Sequence, residues 1–415
     1  MSNSQPYAQI EAFLNHHLSE YLEMLRQMVA INSFTANAAG VNALGQLTAA
    51  AFAPLGFTAE TAPSVNPDYG AHLVLTRPGK SGRRIGLVSH LDTVFPPEEE
   101  ARNDFSWRVA GDRIYGPGTV DIKGGTVIMY MMLAAMQAVL PDLFEGMTWV
   151  LLLDASEETA AEDFGHLCLE RLAGPDTLAC LVMEGGRMDG KNFLAVRARK
   201  GMVVGRITVE GKAAHAGTSH SNGANAIVQL ANTIQRLAAL TDYDRDITVN
   251  VGAVSGGTVT NRVPHYAEAL FEMRAFTPEV YDETLSRILA LQEQSDVRSA
   301  DGKYPCRVSI EVLRQTAPWP RNEGTDRLIA LWQEAAASLG YRVLPEERGG
   351  LSDGNHFWHA IPTIDGMGAA GNNAHCSERS DDGSKDQEYC LMSSFVPKAL
   401  LNVAAVMRLA GYGGN

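Results

Sequence analysis

The stretch Ile85-Gly86-Leu87-Val88-Ser89-His90-Leu91-Asp92-Thr93-Val94-Phe95-Pro96 opens as an apolar run and closes on an imidazole and a carboxylate. A run of that kind predicts a buried strand. In extended backbone, residues two apart point to the same side, so His90 and Asp92 project together from the strand's C-terminal end. An imidazole there can bind a metal through one ring nitrogen while the carboxylate orients metal or water. Taken alone, the pair is equally a buried histidine bonded to a local aspartate.

Working downstream, the pattern recurs. In WRVAGDRIYGPGTVDIKGG (107–125) the residues Gly116, Pro117 and Gly118 impose an irregular loop. Gly124-Gly125 then opens an apolar helix, with Asp121 at the junction, where a carboxylate can bridge two cations or cap the helix. A strand over 149–153 runs into Ser156-Glu157-Glu158-Thr159. Adjacent carboxylates repel unless something cationic balances them. Because their side chains diverge in non-helical backbone, one can bind a metal while the other stays free as a general base. LACLVMEGG (178–186) ends a further apolar strand at Glu184, and a short strand over 361–364 leads to a loop that delivers His375. Sites in open α/β sheets gather at the carboxyl ends of strands, and five N and O donors fall at or just beyond such ends.

Between these halves the residue pattern changes. Strand, helix, strand, strand, helix and strand follow one another over 202–210, 222–240, 246–253, 266–274, 278–295 and 306–314. The order β-α-β-β-α-β predicts a ferredoxin-like domain. It predicts an α/β chain with a discontinuous mixed-sheet catalytic domain (1–198 and 318–415) and an insertion over 199–317. Residues 8–30 and about 41–54 read as helices, and 379–388 (RSDDGSKDQE) as a surface loop.

At 415 residues, two domains are the default. The net charge of −14 disfavours nucleic acid, whose phosphates need clustered Lys and Arg. Five cysteines without a CxxC pair read as reduced thiols. The first residues lack a basic region followed by an apolar core, and the longest apolar run, 126–140, is short for a bilayer. The expectation is a soluble cytoplasmic protein with no membrane partner.

Together, SHLDTVFP, YGPGTVDIKGG, SEET, the strand end at Glu184 and the late His375 resemble the zinc-dependent aminoacylase/carboxypeptidase family. The similarity is greatest to its glutamate carboxypeptidases of the G type. The resemblance implies two Zn2+ per subunit, with Co2+ or Mn2+ suiting the same donors. One ion falls to His90, Glu158 and Asp121, the other to Glu184, His375 and the bridging Asp121. Glu157 matches the general base, and Asp92 the carboxylate behind His90. The insertion resembles a lid and dimerisation domain and so implies a homodimer. In it GKAAHAGTSHSNGANAI (211–227) places His215 to bind the carbonyl or oxyanion, commonly in a neighbouring subunit's site. Asn261, Arg274 and the loop GGLSDGN (349–355), with Gly350 and Ser352, match substrate contacts. The implied activity is hydrolysis of an amide next to a free carboxylate, in a small peptide or N-acyl-amino acid. The alternatives are an N-acyl-amino-acid deacylase and a non-catalytic metal-binding relative, the latter opposed by an intact Glu157. The chain departs from the family pattern at Ser156, at Thr159-Ala160-Ala161, at Gly185 and in a longer segment after His375.

Overall fold

In the computed structural model, which describes residues 5–159 and 162–412, the run ending in His90 lies inside a six-stranded sheet. Ala160 and Ala161 fall outside the described residues. In chain order the strands are β1 (Thr58–Pro63), β2 (Ala71–Arg77), β3 (Arg84–His90), β4 (Thr148–Asp154), β5 (Thr177–Val182) and a last short one, Thr363–Ile364. In space they run β1-β2-β4-β3-β5 and then Thr363–Ile364. β2 is antiparallel to β1 and β4, whereas β3 is parallel to β4 and β5, and Thr363–Ile364 is parallel to β5. Parallel strands finish at one edge. The chain leaving β3, β4, β5 and Thr363–Ile364 therefore emerges on a single side of the sheet.

These strands read as unbroken apolar runs because both faces are covered. Ile85, Leu87, Leu151, Leu153 and Leu181 pack into one core with the helices Gly124–Val139 and Phe395–Leu409. Their neighbours Val88, Val150, Leu152, Cys180 and Val182 pack on the other face with Phe164, Cys168 and Leu172 of the helix Asp163–Leu172. The regular part of the most apolar helix, Gly124–Val139, has 16 residues and is buried almost throughout. Its rise of about 24 Å is short of a hydrocarbon layer of about 30 Å. At the N-terminus the single helix expected over 8–30 is two, Gln5–His16 and Leu18–Val29, broken at His17 (φ −99°, ψ 7°). The break lets Ile10 and Leu14 of one half, and Tyr21, Leu25 and Met28 of the other, each reach the core.

The chain divides into two compact units. The first comprises Met1–Arg197, Arg321–Glu347 and Ser352–Asn415; the second comprises Ala198–Pro320 and Arg348–Leu351. The second holds four strands, β6 (Gly201–Glu210), β7 (Thr248–Gly256), β8 (Tyr266–Ala275) and β9 (Arg307–Thr316). They form an antiparallel sheet in the order β7-β8-β6-β9, the ferredoxin-like arrangement. Its helices begin where side-chain caps stand. Asn225 accepts from the amides of Ile227 and Val228, and Thr277, followed by Pro278, accepts from Val280. The four residues Arg348–Leu351 return to this unit although the insertion was expected to end at 317; the Lys200 amide donates to the Arg348 carbonyl there.

Two glycines fix the end of β5. A Cβ on Gly125, in the first turn of the Gly124–Val139 helix, would lie 2.1 Å from the Met183 carbonyl oxygen, and one on Gly368 would lie 2.1 Å from the same atom. The backbone entering Glu184 is thus held from both sides, and the Gly368 amide donates to the Glu184 carbonyl at 2.9 Å. Alanine is the better helix former by about 1 kcal/mol, yet Gly125→Ala is expected to destabilise the protein by about 1–3 kcal/mol through overpacking against backbone. Urea unfolding measures this; an unchanged midpoint would show that Met183 gives way freely.

Candidate metal centre

His90 is the last residue of β3 and is buried. Its Nε2 lies 3.0 Å from Asp121 Oδ1 and 3.7 Å from Glu184 Oε1. On the other side of the same carboxylate, His375 Nε2 lies 3.3 Å from Asp121 Oδ2 and 3.1 Å from Glu158 Oε2. Two donor groups result, His90-Asp121-Glu184 and Asp121-Glu158-His375, each with its ligand atoms within 4.8 Å of one another. All five side chains belong to the first unit. The pairing implied by resemblance, His90 with Glu158 and Glu184 with His375, is corrected by this geometry. Asp121 turns Oδ1 toward His90 and Oδ2 toward His375, so Glu184 completes the first group and Glu158 the second.

The irregular backbone around Asp121 follows from Gly116 (φ 146°) and Gly118 (φ 76°), and the Asp121–Ile122 peptide is cis. Lys123 is buried and donates from Nζ to the Ile31 carbonyl at 3.1 Å, which ties this loop to the N-terminal segment. His375 arrives in a sharp loop, itself left-handed at φ 66° after Asn373 at φ 62°.

Asp92 does more than stand behind His90. The close partner of His90 Nδ1 is the Asp92 backbone carbonyl, at 3.0 Å, with the carboxylate Oδ1 at 3.5 Å. The carboxylate chiefly accepts from the amides of Glu157 (3.1 Å) and Glu158 (3.3 Å) and from the Thr35 hydroxyl (2.7 Å). It therefore sets the turn that aims the two glutamates apart.

Charge explains why these groups hold together. Burial works against a positive His90, but Asp121, Asp92 and Glu157 lift its pKa well above the usual imidazole value. Hydrogen bonds to Asp121 and Glu158 push His375 up to about 11. Burial alone would raise Asp121; the two imidazoles overcome it and hold that carboxyl well below the usual range. Glu157 goes the other way. Burial, opposed by His90 and reinforced by Glu184, Glu158 and Asp121, drives it well above the ordinary carboxylate value. Glu158 is raised too, by burial and then by Asp121. The field favours positive charge on both sides of Asp121, and a carboxyl with a raised pKa stands beside it.

Of the other residues singled out by sequence, His215 and Asn261 meet in the second unit, where His215 bridges to Arg262 and the Ala216 amide donates to the Asn261 carbonyl. His215 Nδ1 accepts from the amides of Gly217 and Thr218, both at 3.1 Å. The ring proton therefore sits on Nε2, a donor on an exposed side chain. Arg274 is engaged: Nε and Nη2 contact the Glu272 carboxylate at 3.1 and 3.2 Å, and Nη1 donates to the Gly349 carbonyl at 2.9 Å. The Gly350 carbonyl accepts from Arg199, and Ser352 Oγ donates to Asp365 at 2.9 Å.

One buried acid at the site was missed. The surface loop expected over 379–388 ends on Gln387 and Glu388, which are 1% and 0% exposed. Glu388 Oε1 accepts from the amides of Val120 (2.9 Å) and Asp121 (3.2 Å), and burial, then Asp121, pushes its pKa up to about 8. Its position directly before the apolar triplet Tyr389-Cys390-Leu391 was the available signal, because that triplet pairs with Arg113–Tyr115, next to the loop that carries Asp121.

The chain is 26% identical over 397 residues to carboxypeptidase G2 of Pseudomonas sp. (strain RS-16), covering 94% of this chain and 89% of that one. It is also 26% identical over 334 residues to acetylornithine deacetylase of Pectobacterium atrosepticum, covering 76% and 82%. Its fold matches the crystal structure of aminopeptidase PepT from Bacillus cereus with a TM-score of 0.75 at 22% identity, over 95% of this chain and 99% of that one. Residues 86–388 match the model of the peptidase family M20/M25/M40. The chain belongs to that family of metal-dependent hydrolases.

Proposed function

We propose that this protein is a two-zinc amide hydrolase that removes an amino acid bearing a free carboxylate, in the manner of a glutamate carboxypeptidase. The observation that carries the reading is the shared Asp121, flanked by one imidazole and one further carboxylate on each side. Two ligands of one Zn2+ at about 2.0–2.2 Å lie at most about 4.4 Å apart, and His90 stands 3.0 and 3.7 Å from its two carboxylate partners and His375 3.3 and 3.1 Å from its own. Mixed imidazole and carboxylate donors suit zinc, with cobalt or manganese as substitutes. When bound, such a pair of cations polarises a carbonyl and acidifies water.

Within that setting, Glu157 is the base. It is left out of both donor groups while its neighbour Glu158 belongs to one. Its raised pKa suits a group that takes a proton from the attacking water and returns it to the leaving amine. His215, with its proton on Nε2, is a donor for the developing oxyanion. An N-acyl-amino-acid deacylase remains the second reading, since acetylornithine deacetylase lies among the relatives at the same identity as carboxypeptidase G2.

Purified protein assayed with and without added zinc on C-terminal-glutamate peptides and on N-acyl-amino acids separates the two readings. Zinc-dependent release of glutamate is expected, and turnover of N-acyl-amino acids alone would favour the deacylase. Glu157→Gln should keep the metal content while losing several orders of magnitude in kcat; turnover near wild type with metal present would remove Glu157 from the reaction.

Arg274 is the group proposed to meet the substrate carboxylate, by exchanging its half-buried pairing with Glu272 for the substrate's acid. Arg274→Ala is expected to cost about 2–4 kcal/mol, or 30- to 1000-fold in kcat/KM, on a free-acid substrate and far less on its amide. Equal hydrolysis of acid and amide by the wild type would remove the carboxylate requirement.

The second unit is proposed as a homodimer interface. β7 is an edge strand carrying Val254 at 62% exposure, and the Ala226–Ala238 helix exposes Ile227 and Val228. Such an edge with apolar neighbours favours pairing with a second copy. Light scattering should give twice the 44.8 kDa chain mass. Mixing inactive Asp121→Asn and His215→Ala chains should restore activity if His215 serves the neighbouring subunit; no recovery in a confirmed mixed dimer would place its action within one chain.

A further inference from the structure

Asp121 can bridge two ions only if its backbone is held while both of its oxygens are in use. Its loop lies outside any sheet ladder and turns through two left-handed glycines. What meets the amides of Val120 and Asp121 is a side chain from far along the chain, Glu388, through Oε1 at 2.9 and 3.2 Å. Glu388 is 0% exposed, and its second oxygen, Oε2, is buried with no hydrogen-bond partner among the described residues. Burying a carboxyl group with one oxygen unpaired is costly. Removing it would take that acceptor from the buried Val120 amide and the half-buried Asp121 amide as well.

The segment after His375 explains how this acid reaches its place. The Glu388 amide donates to the Cys376 carbonyl at 2.8 Å, so the chain leaves the site at His375 and returns to it at Glu388. The residues between form a polar excursion tied down from outside, with Arg379 on Asp104 and the Gln387 side chain donating to the carbonyls of Asn103 and Ser377. Tyr389–Leu391 then pairs with Arg113–Tyr115, which leads into the Asp121 loop. One return of the chain therefore meets Asp121 twice, at the carboxylate through His375 and at the backbone through Glu388.

We propose that Glu388 is a positioning residue for the metal pair, which sets the bridging carboxylate of Asp121 by holding its backbone amide and that of Val120. The inference rests on the metal reading above. Partners behind metal ligands commonly govern affinity by about 10- to 100-fold. Glu388 acts one step further back, on the backbone that carries the ligand.

The test is titration of metal-stripped protein with Co2+, followed by calorimetry and by the visible absorption of the bound ion. Wild type is expected to take up two ions. Glu388→Gln keeps an acceptor for both amides and should bind within about threefold of wild type, with the same spectrum. Glu388→Leu keeps the bulk without the acceptor; it should bind the second ion about 10- to 100-fold more weakly and show an altered spectrum. Should the leucine variant fail to fold by circular dichroism, Glu388→Asp, which withdraws the acceptor by one methylene, is expected to show the same loss. A leucine variant, or the aspartate variant in its place, that binds both ions as wild type does overturns the proposal. So does a glutamine variant as impaired as leucine, because the amide contact would then not be what matters. Failure of the metal reading looks different: the wild type itself would take up no ion, and this inference would fall with it.

Discussion

One carboxylate with a histidine on each of its oxygens is the constraint on which the rest of the first unit depends. Asp121 Oδ1 faces His90 at 3.0 Å and Oδ2 faces His375 at 3.3 Å. Glu158 and Glu184 complete the two sides and Glu157 stands beside them, which makes four glutamate and aspartate side chains around two imidazoles. Like charges this close are tolerated only where positive charge is supplied. The raised pKa values of both histidines and of Glu157 are the protein's own response to that surplus. The same surplus makes the cluster a receptor for cations.

The fold serves that constraint by bringing ends together. Parallel pairing of β3 with β4 and β5 places His90, the Glu157-Glu158 turn and Glu184 at one edge of the sheet. A turn alone would leave these side chains free to diverge, so each is pinned from behind. Asp92 holds the amides of Glu157 and Glu158, Gly125 and Gly368 close on the carbonyl before Glu184, and Glu388 holds the Asp121 amide. Such groups act on backbone. They convert a cluster of flexible acids into a site with fixed geometry, which is what catalysis by positioned charge requires.

Much of this was legible in the sequence because strand ends are. An apolar run that stops on His, Glu-Glu or Glu announces both a buried strand and the group it delivers, and β3, β4 and β5 fall where those runs lie. The alternation in the second unit likewise carried its β-α-β-β-α-β order, which the antiparallel sheet bears out. Two things were hidden for a physical reason. Which histidine shares a side with which glutamate depends on how Asp121 is turned, and local patterns do not encode a side-chain rotation set by a loop. Glu388 was hidden because a polar run reads as solvent-facing. Its burial comes from the pairing of Tyr389–Leu391 with Arg113–Tyr115, more than 270 residues away. Long-range pairing of a three-residue strand leaves little trace in composition or period.

The division of labour between the two units follows from the same arrangement. Both donor groups lie in the first unit, while His215, Asn261 and Arg274 lie in the second. A reaction centre built from strand ends tolerates little change, since shifting one ligand disturbs the Asp121 carboxylate that it shares with the other three. The ferredoxin-like insertion has its own core and supplies neither donor group. Relatives named as a carboxypeptidase and as a deacetylase, at equal identity to this chain, are what such a separation allows. Arg274, which pairs with Glu272, belongs to the unit that supplies neither donor group, so changes at that pair leave the donor set itself intact.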